Sequence, residues 1–219
     1  MKHLLSILFL STLAISSYAQ STTPGDEPRY EVAVLAGLLQ PTMLQGGNVE
    51  VDFYTRKMVF NYSHGFSLDL DAAHGTTVGE VKRQNLAIHL PYSTGFGIGY
   101  RINRFFDIRF EPKLHDFDVY YEGSTRQSGK VADYRTVTLG LGAYFRWKPF
   151  EKQQNVLKGI FTSTSARYWQ NVWSSLDNNE IVYTNQFTKT QETHKASNIG
   201  IANTPFIFNI AVGYSFIIK

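Results

Sequence analysis

Between residues 95 and 113 the chain alternates in a way that few water-soluble folds can use. Phe106, Ile108, Phe110, Pro112 and Leu114 share one parity, and Asp107, Arg109, Glu111 and Lys113 share the other. Successive side chains of a strand point to opposite faces, so this segment carries an oily face and a face of four consecutive charges. Just upstream, Gly95, Gly97 and Gly99 alternate with Phe96, Ile98, Tyr100 and Ile102. A loop of Ile102, Asn103 and Arg104 sets Gly99 opposite Asp107, Gly97 opposite Arg109 and Gly95 opposite Glu111. The side chains missing at the glycines leave room for the charged ones. That pattern predicts a crowded polar interior inside an apolar exterior, the arrangement of a transmembrane β-barrel.

The N-terminus points the same way. Lys2 and His3 precede an apolar run over 4–15, and Ser17-Tyr18-Ala19 supplies the small-x-small pattern of a cleavage site ahead of Gln20. That run of 12 residues is too short to cross a bilayer as a helix. A signal peptide over 1–19, a short polar leader over 20–29 and a barrel over 30–219 are therefore expected, with export to the cell outer membrane. With no cysteine in the chain, a lipid-anchored lipoprotein and a disulfide framework are both excluded. Basic and acidic residues nearly balance, 21 against 18, and no long basic block occurs, so nucleic acid is not an expected partner. Aromatics at 15% and 17 glycines suit a barrel with interfacial girdles and a tight interior.

Alternation and turn chemistry predict strands over 30–39, 48–55, 58–70, 86–101, 105–121, 134–147, 157–173 and 205–218, with the weakest alternation in 157–173. In the third of these, Phe60, Tyr62, His64, Phe66, Leu68 and Leu70 are expected on one face. The fold class is all-β, an eight-stranded antiparallel transmembrane up-and-down barrel, and an even count puts both ends on one side of the membrane. Short connections at 56–57, 102–104 and 148–156 are expected to be periplasmic. Longer ones at 40–47, 71–85, 122–132 and 174–203 are expected outside, the last as a protruding hairpin.

The stretch from Phe60 to Leu70, with the hairpin in which Asn103-Arg104-Phe105-Phe106-Asp107 leads into Arg109-Phe110-Glu111-Pro112, resembles the small outer-membrane barrels grouped with PorT. The resemblance covers roughly 58–121. It implies an accessory part in protein secretion of the type IX and gliding kind. It brings no catalytic motif.

The luminal polar ladder is expected to comprise Arg101, Asp107, Arg109, Glu111 and Lys113, mutually paired in a lumen that side chains can fill. A proton or ion path is the alternative use of such a ladder. No histidine has a metal-ligand spacing, although His89, His115, Asp116 and Asp118 could gather a cation at the outer rim. Ser63 and His64 are adjacent, but neighbours on a strand face opposite ways and cannot form a catalytic dyad. A secreted lipocalin-like barrel satisfies the same alternation with reversed polarity, but Trp147 is the first tryptophan and the glycines face charges. No catalytic site, cofactor or metal is expected. The expected partners are outer-membrane lipid and, through the loops, other secretion or surface proteins, around a monomeric barrel. A structural or adhesive surface barrel of the OmpA and OmpX type is the second functional reading, and a lipid-modifying enzyme the third.

Overall fold

The computed structural model describes residues 30–70, 85–200 and 203–218. The expected signal peptide, the leader and nearly all of the 71–85 loop lie outside the described residues. The strands are β1 (Tyr30–Gly37), β2 (Gly47–Tyr54), β3 (Met58–Asp69), β4 (Leu86–Arg101), β5 (Phe106–Tyr121), β6 (Lys130–Trp147), β7 (Ile160–Ser174), β8 (Glu180–Thr184), β9 (Gln191–Lys195) and β10 (Phe206–Ile218). Eight of them close a barrel in the order β1-β10-β7-β6-β5-β4-β3-β2, and every neighbouring pair is antiparallel. The first and last strands make the closure, from Tyr30 opposite Ile218 to Gly37 opposite Ala211. Closure leaves the barrel no unpaired edge. A one-turn helix α1 (Leu39–Met43) occupies the connection after β1, so that strand stops before the expected Leu39.

The β4–β5 turn is wider than the expected three residues. Asn103 Oδ1 accepts the backbone N–H groups of Phe105 at 2.7 Å and Phe106 at 2.9 Å, which spreads the turn over 102–105. Pairing therefore slips by two residues from the expected register: Arg101 lies opposite Asp107, Gly99 opposite Arg109 and Gly95 opposite Lys113. A two-residue slip leaves every side chain on the same face.

On β5 the polarity of the two faces exchanges partway along the strand. Outward positions run Phe106, Ile108, Phe110, Pro112 and Leu114, then Asp116 and Asp118. Inward ones run Asp107, Arg109, Glu111 and Lys113, then His115, Phe117 and Val119, all buried. From Phe106 to Leu114 the strand is apolar outside and charged inside. Beyond it the strand has the polarity of a soluble sheet.

Two adjacent irregularities extend this reversal to β3 and β4. Ser67 has a left-handed φ of 52°, and the β4–β5 register shifts between His89 and Ser93. Each break moves the following residues to the other face. Leu68 and Leu70 therefore turn inward, against the expectation that they continue the outward face of Phe60 to Phe66. There they meet Leu86, Ile88 and Leu90 of β4, Phe117 and Val119 of β5, and Tyr134 of β6.

The expected protruding hairpin covers this apolar mouth instead of projecting from it. Within β8–β9, Ile181 and Tyr183 face the barrel and join the cluster with Ala196. Tyr134 Oη accepts the N–H of Ser197 at 2.9 Å, and Tyr121 Oη donates to the carbonyl of Thr184 at 2.8 Å. Val182 and Thr184 are exposed on the other face. The segment reads as polar because its apolar side is carried only by alternate residues of β8, with Ala196 just past β9.

Candidate functional site

The barrel interior is the most densely organised polar region of the chain. Every strand from β1 to β7, together with β10, sends alternate residues into it. Arg109, 1% exposed, sits at its centre. Its Nε donates to Asp107 Oδ1 at 2.6 Å, Nη1 to Glu50 Oε1 at 2.8 Å and Asp52 Oδ1 at 3.1 Å, and Nη2 to Asp52 Oδ2 and Tyr54 Oη, both at 3.0 Å. All five guanidinium N–H donors thus have acceptors. The ring of Tyr144 covers the guanidinium, with its centroid 3.8 Å from Cζ.

Two further groups flank this centre. Toward the short turns, Arg146 Nη1 lies 3.0 Å from Glu31 Oε1, Lys148 also bonds Glu31, and Arg146 stacks over Tyr54 at 4.1 Å. Burial lowers the pKa of Lys148 from the usual lysine range, and Arg146 pushes it the same way against the pull of Glu31. Toward the apolar mouth, Glu111 accepts from Asn61 Nδ2 and Trp169 Nε1, each at 3.3 Å. Lys113 donates to Ser63 and lies 4.3 Å from the Trp169 ring. Arg167 joins the layers through Glu50 Oε2 at 3.4 Å and Ser165 Oγ at 2.9 Å. Arg101, also buried, donates to the carbonyl of Thr55 at 2.6 Å.

The glycines make this packing possible. A Cβ on Gly99 would stand 2.7 Å from Cγ of Arg109, and one on Gly142 equally close to the Tyr144 ring. Among the described residues the buried charges are Glu31, Glu50, Asp52, Asp107 and Glu111 against Arg101, Arg109, Lys113, Arg146 and Arg167, five of each sign. A balanced, hydrogen-bonded set is the form in which buried charges persist.

The five expected ladder residues are therefore all buried in the interior, but they do not pair chiefly with one another. Arg109 meets Asp107, yet its other acidic partners, Glu50 and Asp52, come from β2. Sequence reading missed these, along with Arg146 and Arg167. The signal was present: Val49, Val51 and Phe53 alternate with Glu50, Asp52 and Tyr54, as Thr164, Ala166 and Tyr168 do with Ser165, Arg167 and Trp169.

The residues considered for chemistry are kept apart. Ser63 is inside and bonded by Lys113, whereas His64 is outside beside Phe66, with ring centroids 6.4 Å apart. His115 is held between the hydroxyls of Ser93 and Thr138, both at 2.8 Å. His89 bonds Asp69, while Asp116 pairs with Arg135 at 3.2 Å on the outer surface. The rim quartet considered for a cation is thus not gathered, and no group of three candidate metal ligands occurs among the described residues.

No protein-family model and no curated protein matches the chain. Among solved structures, it is similar to the N-terminal β-barrel domain of Pseudomonas aeruginosa OprF, at 9% identity and a TM-score of 0.44 over 86% of this chain and 98% of that one. A major outer membrane protein from Thermus thermophilus shows 14% identity and a TM-score of 0.45 over 85% and 99% of the two chains. Neisserial surface protein A shows 10% identity and a TM-score of 0.33 over 86% and 96%.

Proposed function

We propose that this chain is a non-enzymatic outer-membrane β-barrel that works as a closed surface barrel and presents its capped end to the exterior. The observation that carries the reading is the pairing of an apolar exterior with a neutralised interior at the same height. Phe96, Ile98, Ile108, Phe110, Leu141, Phe208 and Ile210 are exposed around the barrel. In water such a band is unfavourable, whereas against acyl chains it is the required surface. On β5 this band runs from Phe106 to Leu114, nine residues, close to the roughly 9–11 that a tilted strand needs to cross a bilayer. The interior at that height is filled by the Arg109 network, leaving an eight-stranded barrel no open channel.

An accessory role in secretion, the reading implied by the resemblance to PorT, rests on the hairpin around 103–112. The residues of that hairpin are already used by the fold. Asn103 shapes the turn, Asp107 and Arg109 form the central ion network, and Glu111 anchors Asn61 and Trp169. They therefore support a small closed barrel more directly than a secretion part.

Planar-bilayer recording on the purified, refolded protein tests the reading. No stable conductance is expected. Persistent, salt-dependent unitary currents would replace the closed barrel with a small porin.

A further inference from the structure

Sorting the charges of the described residues by zone separates the two ends of the barrel. The interior is balanced. The end with the short turns carries six bases, Arg56, Lys57, Arg104, Lys148, Lys152 and Lys158, against one exposed acid, Glu151, although Lys148 turns inward to bond buried Glu31. The opposite end carries five bases against eight acids.

Apart from Lys148, the bases lie on successive short turns around the rim. The β2–β3 turn touches the start of the next one, because Arg101 donates its backbone N–H to the carbonyl of Lys57 at 2.8 Å. The β4–β5 turn reaches the β6–β7 connection through Arg104 Nη1, 3.5 Å from Glu151 Oε2. Lys158 continues the series beside β10, where Ser215 Oγ donates to the carbonyl of Gly159 at 3.3 Å. Arg56, Lys57, Lys152 and Lys158 are exposed, and among the described residues no acid pairs with them. Next to these turns stand exposed Tyr100, Phe106, Trp147 and Phe216. Of these, Tyr100 and Trp147 are of the kind that settles at the headgroup level of a bilayer, which puts the bases among the phosphates.

We propose that the short-turn rim selects anionic phospholipid, with phosphatidylglycerol-type phosphodiesters as its occupants. The inference rests on the membrane reading above. A zwitterionic headgroup brings its own ammonium and offers the rim no net charge, whereas a phosphatidylglycerol leaves its phosphate uncompensated. The distribution favours a lipid over an acidic protein. The bases are spread over successive short turns around the rim, as contacts to a leaflet would be, and are not gathered into one patch.

Trp147 is a reporter at the site, since Trp169 is buried and Trp173 lies at the other end. The full chain carrying Trp173→Phe is placed in phosphatidylcholine nanodiscs containing brominated phosphatidylglycerol or, in parallel, brominated phosphatidylcholine. Quenching is expected to show at least about threefold enrichment of the anionic lipid at low salt, falling toward parity near 1 M salt, where screening reaches within about 3 Å. The variant Arg56→Gln/Lys57→Gln/Lys152→Gln/Lys158→Gln is expected to lose the enrichment while keeping heat-modifiable migration. Equal quenching by the two lipids, or enrichment that survives in the variant, overturns the proposal. So does soluble polyglutamate, if it abolishes the enrichment at low salt at concentrations matched in charge to the lipid. Failure to insert even into pure phosphatidylcholine would instead bring down the membrane reading itself.

Discussion

Leu68 of β3 lies directly opposite Leu90 of β4, and each stands just beyond a break in the alternation of its strand. Because the two breaks coincide, both leucines face inward and the barrel gains a packed apolar layer above its charged interior. The β8–β9 hairpin packs over that layer.

The hairpin should therefore depend on that apolar layer for its order. Ile181→Ala is expected to loosen the cap by about 2–5 kcal/mol, the usual range for emptying a buried isoleucine site. Hydrogen exchange at the amides of 181–183 should accelerate while the amides of 107–113 stay protected. Uniform acceleration through both regions would mean that cap and barrel unfold as one unit.

Replacing 176–200 by a short Gly-Ser linker tests the same relationship from the other side. Exposed loops tolerate change when they cover nothing, but this one covers Leu70, Ile88, Leu90 and Phe117. The shortened protein should keep heat-modifiable migration and, in the same vesicles, bind more of a hydrophobic dye than the full chain. A shortened barrel with no added dye binding would show that the strand ends cover the apolar layer without the hairpin.

The polarity exchange on β5 gives a depth scale. If the barrel spans the membrane as proposed, Ile108→Arg puts a cation on the lipid-facing surface near mid-membrane and should cost about 2–4 kcal/mol. Asp116→Arg, on the same face but past the exchange, should cost under about 1 kcal/mol. Urea titration in lipid vesicles reads both. Equal costs would place Asp116 within the hydrocarbon.

Much of this fold is legible in the chain. Strict alternation over 106–114 marks a strand with two incompatible faces, and the pairing of short with long connections orders the strands. The ladder around Arg109 is legible on β5 because four charges in a row come with alternating glycines on the preceding strand, which favours an interior position over a solvent one. Glu50 and Asp52 were harder to place. A two-acid alternation on an eight-residue strand also describes an ordinary half-exposed strand, and only closure of the barrel brings it to Arg109. The inward turn of Leu68 and Leu70 was hidden for a different reason. Their parity continues that of Phe60 to Phe66, and nothing local marks Ser67 as the place where the phase changes. The hairpin cap is invisible to composition because its apolar face is so short.

Barrel closure sets a third expectation. Ser215, Phe216, Ile217 and Ile218 pair with Ala33, Val32, Glu31 and Tyr30. Deleting 215–219 strips β1 of its partners at the short-turn end and, if the barrel spans the membrane as proposed, opens backbone groups to lipid, which no spanning structure tolerates. Heat-modifiable migration should disappear. Retention would mean that the remaining pairs, from Val34 opposite Tyr214 to Gly37 opposite Ala211, suffice for closure.

The interior network gives the most exacting test, because its members fail unequally. Arg109→Met removes the cation shared by Glu50, Asp52 and Asp107 and leaves buried carboxylates without their main partner. A loss of about 3–5 kcal/mol is expected, the cost of breaking a buried ion pair from one side. Arg109→Lys keeps the charge but provides three donors on a compact ammonium where five are used, and the flat stack on Tyr144 is lost; about 1–3 kcal/mol should go. Removing charge from both sides, as in Arg109→Met/Asp52→Asn, should recover part of the Arg109→Met loss, since one fewer carboxylate is stranded. Urea titration of the refolded variants in vesicles ranks them: wild type, Arg109→Lys, the double variant, Arg109→Met. An Arg109→Met protein as stable as wild type would show that strand pairing and the apolar exterior hold the barrel without help from its interior.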